Sequence, residues 1–442
     1  MNKTFYFLLF IIVALTSCSL SKNISRQTYQ LLISDSTLKT GHVGISIYEP
    51  ATNSFWYNYN ADKYFIPASN TKLFTLYAGM KYLGDSIIGL KYFERNDTIF
   101  ALPTADPTLL HPDFSNQPVV EFLKKEQKVI SIIEPDEKII KFGRGWSWDD
   151  YNDSYMAERN ALPIFGNLVR FNWELKNDSI GTDNLKVQPE IAGYKMSARI
   201  DTSGNPSSII REINANNFLA SINKKDLLNS VEVPFETKGI QTATLFLKNN
   251  YNNSINSRKN IVAKNRILKS IKTQPTDSLF KIMMHRSDNL YAEQTLLMVS
   301  NQRLGFMSDE EIIDTILNTD LKNIPQKPRW VDGSGLSRYT LFTPLDFIYI
   351  INKIETEFGT KRLKTILPTG GEGTLKKYFN TDSGFIYAKT GSLSNNFALS
   401  GLLTTKKNKQ LVFSIIVNNY KGSYTSVKKT IELYIKTIRN KY

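Results

Sequence analysis

Pro67-Ala68-Ser69-Asn70-Thr71-Lys72 ends an aromatic-rich strand and opens a helix, and it sets a hydroxyl and an amine three residues apart. On a helix that spacing puts Ser69 and Lys72 on one face. Leu73, Leu76, Tyr77, Met80 and Leu83 recur with helical periodicity, which predicts a helix with one buried side, closed by Gly84. Serine is a weak nucleophile at neutral pH and needs a neighbouring base; where other enzymes use histidine, this chain offers Lys72. The spacing alone decides nothing, because Ser-x-x-Lys also begins at Ser19, Ser36, Ser221 and Ser426. Ser69 is set apart by motifs further along the chain.

Upstream, Ile24 to Leu38 reads as a helix, and Val43, Ile45 and Ile47 then alternate with small or polar residues as a strand does. Pro50-Ala51-Thr52-Asn53 turns the chain into a second strand carrying Phe55, Tyr57 and Tyr59, a hairpin that runs into Ser69. From about Lys91 to Asn260 the pattern changes to short strands and frequent asparagines without a strong helix. This predicts an inserted, mostly β domain, and no internal repeat suggests a solenoid.

Helical periodicity returns from Asp277 to Leu304, with Leu279, Ile282, Met283, Leu290, Leu296 and Leu297 forming a buried face around His285-Arg286-Ser287-Asp288-Asn289. Two tight loops come next, Val331 to Arg338 and Leu367 to Leu375. The second has neither the glycine spacing nor the Lys-Ser/Thr of a phosphate-cradling loop. Phe385 to Ser392, Ala398 to Thr404 and Leu411 to Asn418 read as strands, the last two joined through Lys406 to Lys409, and a helix with Val427, Ile431, Ile435 and Ile438 in a row ends the chain. The hairpin at Val43 has no sheet of its own, so it joins these strands in one antiparallel sheet of about five. With helices packed on that sheet, the fold class is α+β. The expected segments are 1–17 as a signal peptide, 18–90 and 261–442 as two parts of the sheet-bearing domain, and 91–260 as the insert.

The 442 residues leave room for two or three domains, and 41% hydrophobic with 22% charged residues is globular rather than disordered composition. The excess of 55 Lys+Arg over 41 Asp+Glu suits an acidic surface such as lipid head groups or anionic wall polymers, or simply a solvated lysine-rich surface. It is not gathered into a basic stripe, so nucleic acid is not expected as a partner. At the N-terminus, Lys3 followed by the apolar run Phe5 to Leu15 reads as an export signal, too short to span a bilayer unaided. Leu15-Thr16-Ser17-Cys18 is similar to a bacterial lipobox, in which the cysteine becomes the lipid-modified first residue; cleavage of an ordinary signal at the nearby small residues is the alternative. Cys18 is the only cysteine, so an exported body would hold together by packing without disulfides. His42, His111 and His285 carry no metal-ligand spacing, and neither a metal nor any other cofactor is expected.

Three pieces stand in order: Ser69 with Lys72, Ser287-Asp288-Asn289, and Lys389-Thr390-Gly391-Ser392, a trio shared by penicillin-binding proteins and class A β-lactamases. Decoys exist at Lys39-Thr40-Gly41 and in Ser-x-Asn triplets at Ser203, Ser221, Ser254 and Ser394, but Lys39 precedes the nucleophile, whereas Lys389 follows Ser287 on an apolar strand. On these residues the chain resembles the class C low-molecular-mass penicillin-binding proteins, the D-alanyl-D-alanine carboxypeptidases and endopeptidases of the cell wall. The resemblance extends over nearly the whole mature chain through Asp106 to Leu109, Trp146 to Asp150, Ser287 to Glu293, Asp332 to Arg338 and Gly373 to Leu375. It implies a penicillin-binding/β-lactamase-like transpeptidase domain. The family inserts its additional domains between the first two motifs; the 215 positions from Lys72 to Ser287 are fewer than a full insertion needs, so one inserted module is expected to be reduced or absent.

The resemblance also implies roles. Ser69 attacks the penultimate D-alanine carbonyl, and the backbone N–H groups of Ser69 and Ser392 form an oxyanion hole, each donor worth about 10²- to 10³-fold. Lys72 is the base, and lowering its amine from about 10.4 to near neutrality takes roughly 4–5 kcal/mol, for which burial and the charge of Lys389 are the expected sources. Ser287 relays a proton to the leaving amine, Asn289 donates to the substrate amide, and Lys389, Thr390, Gly391 and Ser392 hold the terminal carboxylate. Ser392 stands where the family commonly has threonine and keeps the hydroxyl. Asp149 would meet a free amine of the stem peptide or else only stabilise a turn, and Arg338 would pair with a carboxylate at the same substrate end. The expected partners are peptidoglycan stem peptides, β-lactams and, through Cys18, a membrane. Two rivals use the same fold: a catalytically weak wall-binding or scaffold lipoprotein, and a β-lactamase.

Overall fold

The computed structural model describes residues 22–135, 139–173, 185–191, 193–226, 230–259 and 267–442. The signal segment 1–17 and Cys18 lie outside the described residues, and among those residues no helix is long and apolar enough to cross a membrane. The chain divides into two compact units, Met1–Tyr77 with Lys281–Ser287 and Ile316–Tyr442, and Ala78–Phe280 with Asp288–Thr315.

The first unit is built on a five-stranded antiparallel sheet in the order Ile386–Leu393, Asn396–Thr404, Gln410–Asn418, His42–Glu49, Ser54–Tyr59. The hairpin does join the C-terminal strands, as its lack of a sheet of its own required. The three middle strands are covered on both faces, because successive side chains point to opposite sides. Ile45, Ile47, Leu399, Phe413 and Ile415 pack with Val427, Ile431, Ile435 and Ile438 of the last helix, Tyr424–Lys441. The opposite face, which carries Gly44, Ser400 and Ser414, meets the helix Pro344–Phe358 and the turn around Ser69. Each fully buried Leu, Ile or Phe contributes roughly 1.5–3 kcal/mol, so this two-faced core outweighs any single polar contact in the unit.

Two local differences bear on the site. The helix Lys72–Tyr82 starts after a 3₁₀ turn, Ala68–Thr71, so Ser69 sits on the tighter turn rather than on the α-helix proper. The helical run expected from Asp277 to Leu304 is broken into Thr276–Arg286 and Asn289–Leu304. Ser287 takes a left-handed backbone with φ of 62°, and the Asp288 carboxylate accepts from the Tyr291 N–H as the cap of a new helix. The cap competes with continued helix, and the apolar period cannot register it. At the start of the chain, residues 22–28 are α-helical and Tyr29–Ile33 form a π turn, so that helix stops short of Leu38.

The second unit holds a five-stranded mixed sheet in the order Ile255–Arg258, Val129–Ile133, Thr98–Pro103, Ser86–Arg95, Lys269–Pro275, and two three-stranded sheets. It is mostly β, yet it contains the helices Pro118–Lys125 and Gln241–Asn250 within the stretch read as having no strong helix. Both are short and bury few residues, Val119, Val120 and Leu123 in the first case. Within this unit Arg159 is 2% exposed and pairs with Glu293 at 3.1 Å, itself 0% exposed, and with Asp309 at 2.5 Å. Burial opposes the guanidinium charge, but the two carboxylates outweigh it and hold Arg159 above the ordinary arginine range.

Candidate active site

Ser69 is half-buried and Lys72 wholly buried, with Lys72 Nζ donating to Ser69 Oγ at 2.9 Å and to the Ser334 carbonyl at 2.9 Å. The loop around Ser334 is pinned to the same helix, since Thr75 Oγ1 donates to the Gly333 carbonyl at 2.6 Å. Buried Asp332 organises that loop by accepting from the N–H groups of Gly335 and Ser337 and from Thr340 Oγ1. Gly335 is required there: its φ is 78°, and a Cβ would lie 1.9 Å from the Ala68 carbonyl oxygen. Below the turn, Phe74 packs on Phe342 and Phe347, so the lysine rises from a rigid aromatic floor.

The second hydroxyl–amine pair comes from distant parts of the chain. Lys389, 0% exposed on the edge strand, donates from Nζ to Ser287 Oγ at 2.8 Å and to the Thr390 carbonyl at 2.6 Å. The two pairs are held together by Gly391, whose missing side chain lets the strand lie against the Ser69 turn. A Cβ at Gly391 would be 2.3 Å from the Pro67 carbonyl oxygen and 3.1 Å from the Ser69 nitrogen. Asn70 ties the same turn to the next strand, donating to Ser400 Oγ at 2.7 Å.

Burial pushes the Lys389 ammonium well below the ordinary lysine range, and the nearby amines of Lys72 and Lys428 push it the same way. Repulsion between two amines is mutual, so the interaction expected from the sequence to act on Lys72 acts on Lys389 as well. An unfolded lysine titrates near 10.4, so between the lowered folded value and that pH the unfolded chain binds more protons and stability rises with pH. The cost of burying Lys389 is complete below the folded value and gone above about 10.4. Lys389→Met should therefore be more stable than wild type near neutral pH, by an amount on the order of the 1–4 kcal/mol found when buried ion pairs are replaced by well-packed apolar groups. The advantage should shrink as pH climbs towards 10; a difference in melting temperature that stays constant over that range would contradict it.

Ser69, Lys72, Ser287, Lys389, Thr390, Gly391, Ser392 and Arg338 belong to the first unit, and Arg338 is exposed. Asn289 and Asp149 belong to the second. Asn289 begins the helix that follows Ser287, and its amide donates to the Tyr155 carbonyl at 3.0 Å. Asp149 is exposed on the 3₁₀ turn Trp148–Asn152. Of the histidines, His42 is exposed, His111 packs against Tyr291 beside Asp113, and His285 is hydrogen-bonded to the Leu367 backbone. Among the described residues no group of three His, Cys, Asp or Glu side chains is placed to hold a metal.

A model of the D-Ala-D-Ala carboxypeptidase 3 (S13) family matches residues 26–441. The chain belongs to that family. Carboxypeptidase DacB of Mycolicibacterium smegmatis is 32% identical to this S13 chain over 161 residues, 34% of this chain and 35% of that protein. Penicillin-sensitive carboxypeptidase A of Dictyostelium discoideum is 32% identical over 163 residues, 33% and 30% of the two chains. The S13 chain thus matches about a third of the length of these curated relatives. Penicillin binding protein 4 (dacB) from Haemophilus influenzae superposes with a TM-score of 0.72 at 19% identity, covering 94% of this chain and 98% of that one, which establishes the shared fold. The same Haemophilus protein has also been solved in complex with a β-lactam, matching with a TM-score of 0.64 at 18% identity.

Sequence reasoning missed three neighbours of the candidate residues in this S13 chain: the Ser334 carbonyl that receives Lys72, Tyr424, whose hydroxyl lies 2.9 Å from Ser392 Oγ, and Lys428, one turn further along the last helix. Lys428 is 8% exposed beside the apolar row of Val427 and Ile431. A lysine bordering a buried row was the available signal.

Proposed function

We propose that the protein is an exported serine DD-peptidase of peptidoglycan that forms an acyl-enzyme at Ser69 and binds penicillin. The observation that carries this reading is the pair of hydroxyl–amine contacts, Lys72 to Ser69 and Lys389 to Ser287, held side by side in one unit. A neutral Lys72 takes the Ser69 proton as Oγ bonds to the penultimate D-alanine carbonyl. The Ser69 and Ser392 N–H groups then receive the developing oxyanion. When the C–N bond breaks, Ser287 relays a proton to the departing amine, and water later cleaves the Ser69 ester. Lys389, Thr390 and Ser392 hold the terminal carboxylate and Asn289 the substrate amide. Asp149 meets a free amine on the stem peptide, and Arg338 a carboxylate at the same end. A strained β-lactam amide bearing its own carboxylate fits the same donors, in keeping with the complex solved for the Haemophilus protein.

Membership of a cell-wall peptidase family supports export, and the Leu15 to Cys18 stretch supports anchoring by lipid at Cys18. Two acyl signals are what stable anchoring requires, and bacterial lipidation provides them.

One experiment tests the reading. The native protein is incubated with labelled penicillin and with stem peptides, and both protein and products are analysed by mass spectrometry. The expected results are a penicilloyl adduct on Ser69, absent in Ser69→Ala, released D-alanine or cleaved crosslinks, and an acylated Cys18 on membrane-associated protein. Label on Ser36 or Ser426, or label that persists in Ser69→Ala, overturns the nucleophile; a soluble, unmodified Cys18 overturns the anchor. With a stem-peptide mimic, Asp149→Asn should shrink several-fold the preference for a free amine, and an equal loss on penicillin would leave Asp149 a structural part only.

A further inference from the structure

The last helix brings two side chains to the carboxylate-binding strand. Tyr424 opens that helix, and its hydroxyl lies 2.9 Å from Ser392 Oγ. Its ring meets Phe397 edge-on, with centroids 5.8 Å apart, so the phenol is steadied from below. Lys428, four residues on and on the same helical face, places its ammonium 5.0 Å from the Tyr424 ring and 4.0 Å from the Tyr378 ring. A cation over the ring adds about 0.5–2 kcal/mol of attraction and holds the ring in place.

Ser392 needs such help. It is exposed at the end of the strand, and a serine, unlike the β-branched threonine, has no second substituent on Cβ to restrict χ1. Its hydroxyl can therefore turn away from a ligand unless something holds it.

Building on the proposed role of Ser392 in holding the substrate carboxylate, we infer that Tyr424 is a positioning residue that sets the Ser392 hydroxyl for that carboxylate. Tyr424 Oη donates to Ser392 Oγ, which frees the Ser392 proton to point at the carboxylate. Hydrogen bonds chained in this way polarise one another, and the bond to the charged group gains most. Tyr424 touches no reacting atom, so its influence falls on recognition rather than on the acyl-transfer step.

The test is calorimetric titration of Ser69→Ala protein, which needs no turnover, with an acyl-D-alanyl-D-alanine and with its C-terminal amide. Tyr424→Phe keeps the ring contacts and removes only the hydroxyl. It should weaken binding of the carboxylate ligand about three- to tenfold, the size of one hydrogen bond, and leave the amide within about twofold. Adding Ser392→Thr to Tyr424→Phe should restore most of the loss, because threonine restricts its own rotamer. In otherwise wild-type protein, Tyr424→Phe should raise KM for the carboxylate substrate with kcat nearly unchanged. Equal weakening of both ligands, no weakening, or a loss that Ser392→Thr leaves in place would each overturn the inference. Absence of a penicilloyl adduct on Ser69 in the wild type would overturn the peptidase reading instead, and the calorimetric comparison separates the two failures.

Discussion

Lys72→Ala is expected to acylate with penicillin about 10²- to 10⁴-fold more slowly than wild type, the range for removal of a general base, while keeping its fold. The amine is wholly buried and lies 2.9 Å from Ser69 Oγ and from the Ser334 carbonyl, so its removal takes away the group proposed, in its neutral form, to accept the Ser69 proton. The aromatic floor of Phe74, Phe342 and Phe347 does not depend on the amine and should hold the turn in place. The measurement is the second-order rate constant of acylation, with circular dichroism as a control on folding. An unchanged rate in a folded variant rejects Lys72 as the base.

Arg159→Ala should destabilise the protein by about 3–5 kcal/mol, because it strips the compensating charge from Glu293, which has no exposed surface. Asp309 is 23% exposed and can recover water, so the greater cost falls on Glu293. Urea unfolding of the full-length chain checks this through the midpoint at unchanged slope. A loss below about 1 kcal/mol would mean that the other contacts of Glu293 carry its charge. Replacing Arg159 and Glu293 together by apolar residues should cost less than Arg159→Ala alone, since burying a pair is far less favourable than its geometry suggests.

The sheet of the first unit was legible because its strands obey a period of two between turn residues, and a hairpin without a sheet has few places to go. The order of Ser69, Ser287 and Lys389 was legible because chance matches do not preserve it. The break at Ser287 was not, since Leu279 to Leu297 keep their apolar spacing straight through it and only the Asp288 cap marks the new start. The helix Pro118–Lys125 was missed although Pro118 is a start signal, because eight residues show barely two turns of pattern. Tyr424 escaped for a different reason: its use lies in a contact with Ser392, 32 positions away, and no periodicity reports a contact of that kind.

The left-handed backbone of Ser287 sets a limit on how this protein can adapt. A side-chain-bearing residue in that region forfeits of order 1 kcal/mol, and Ala68, beside Ser69, adopts the same conformation with φ of 49°. Glycine at position 287 would recover much of that energy but would remove the hydroxyl that receives Lys389. A lineage selected for growth at higher temperature therefore cannot draw on this reserve while Ser287 is in use. Its stabilising substitutions must accumulate on surfaces and in helix caps elsewhere, and only a descendant that no longer needs the Ser287 hydroxyl is free to relax position 287.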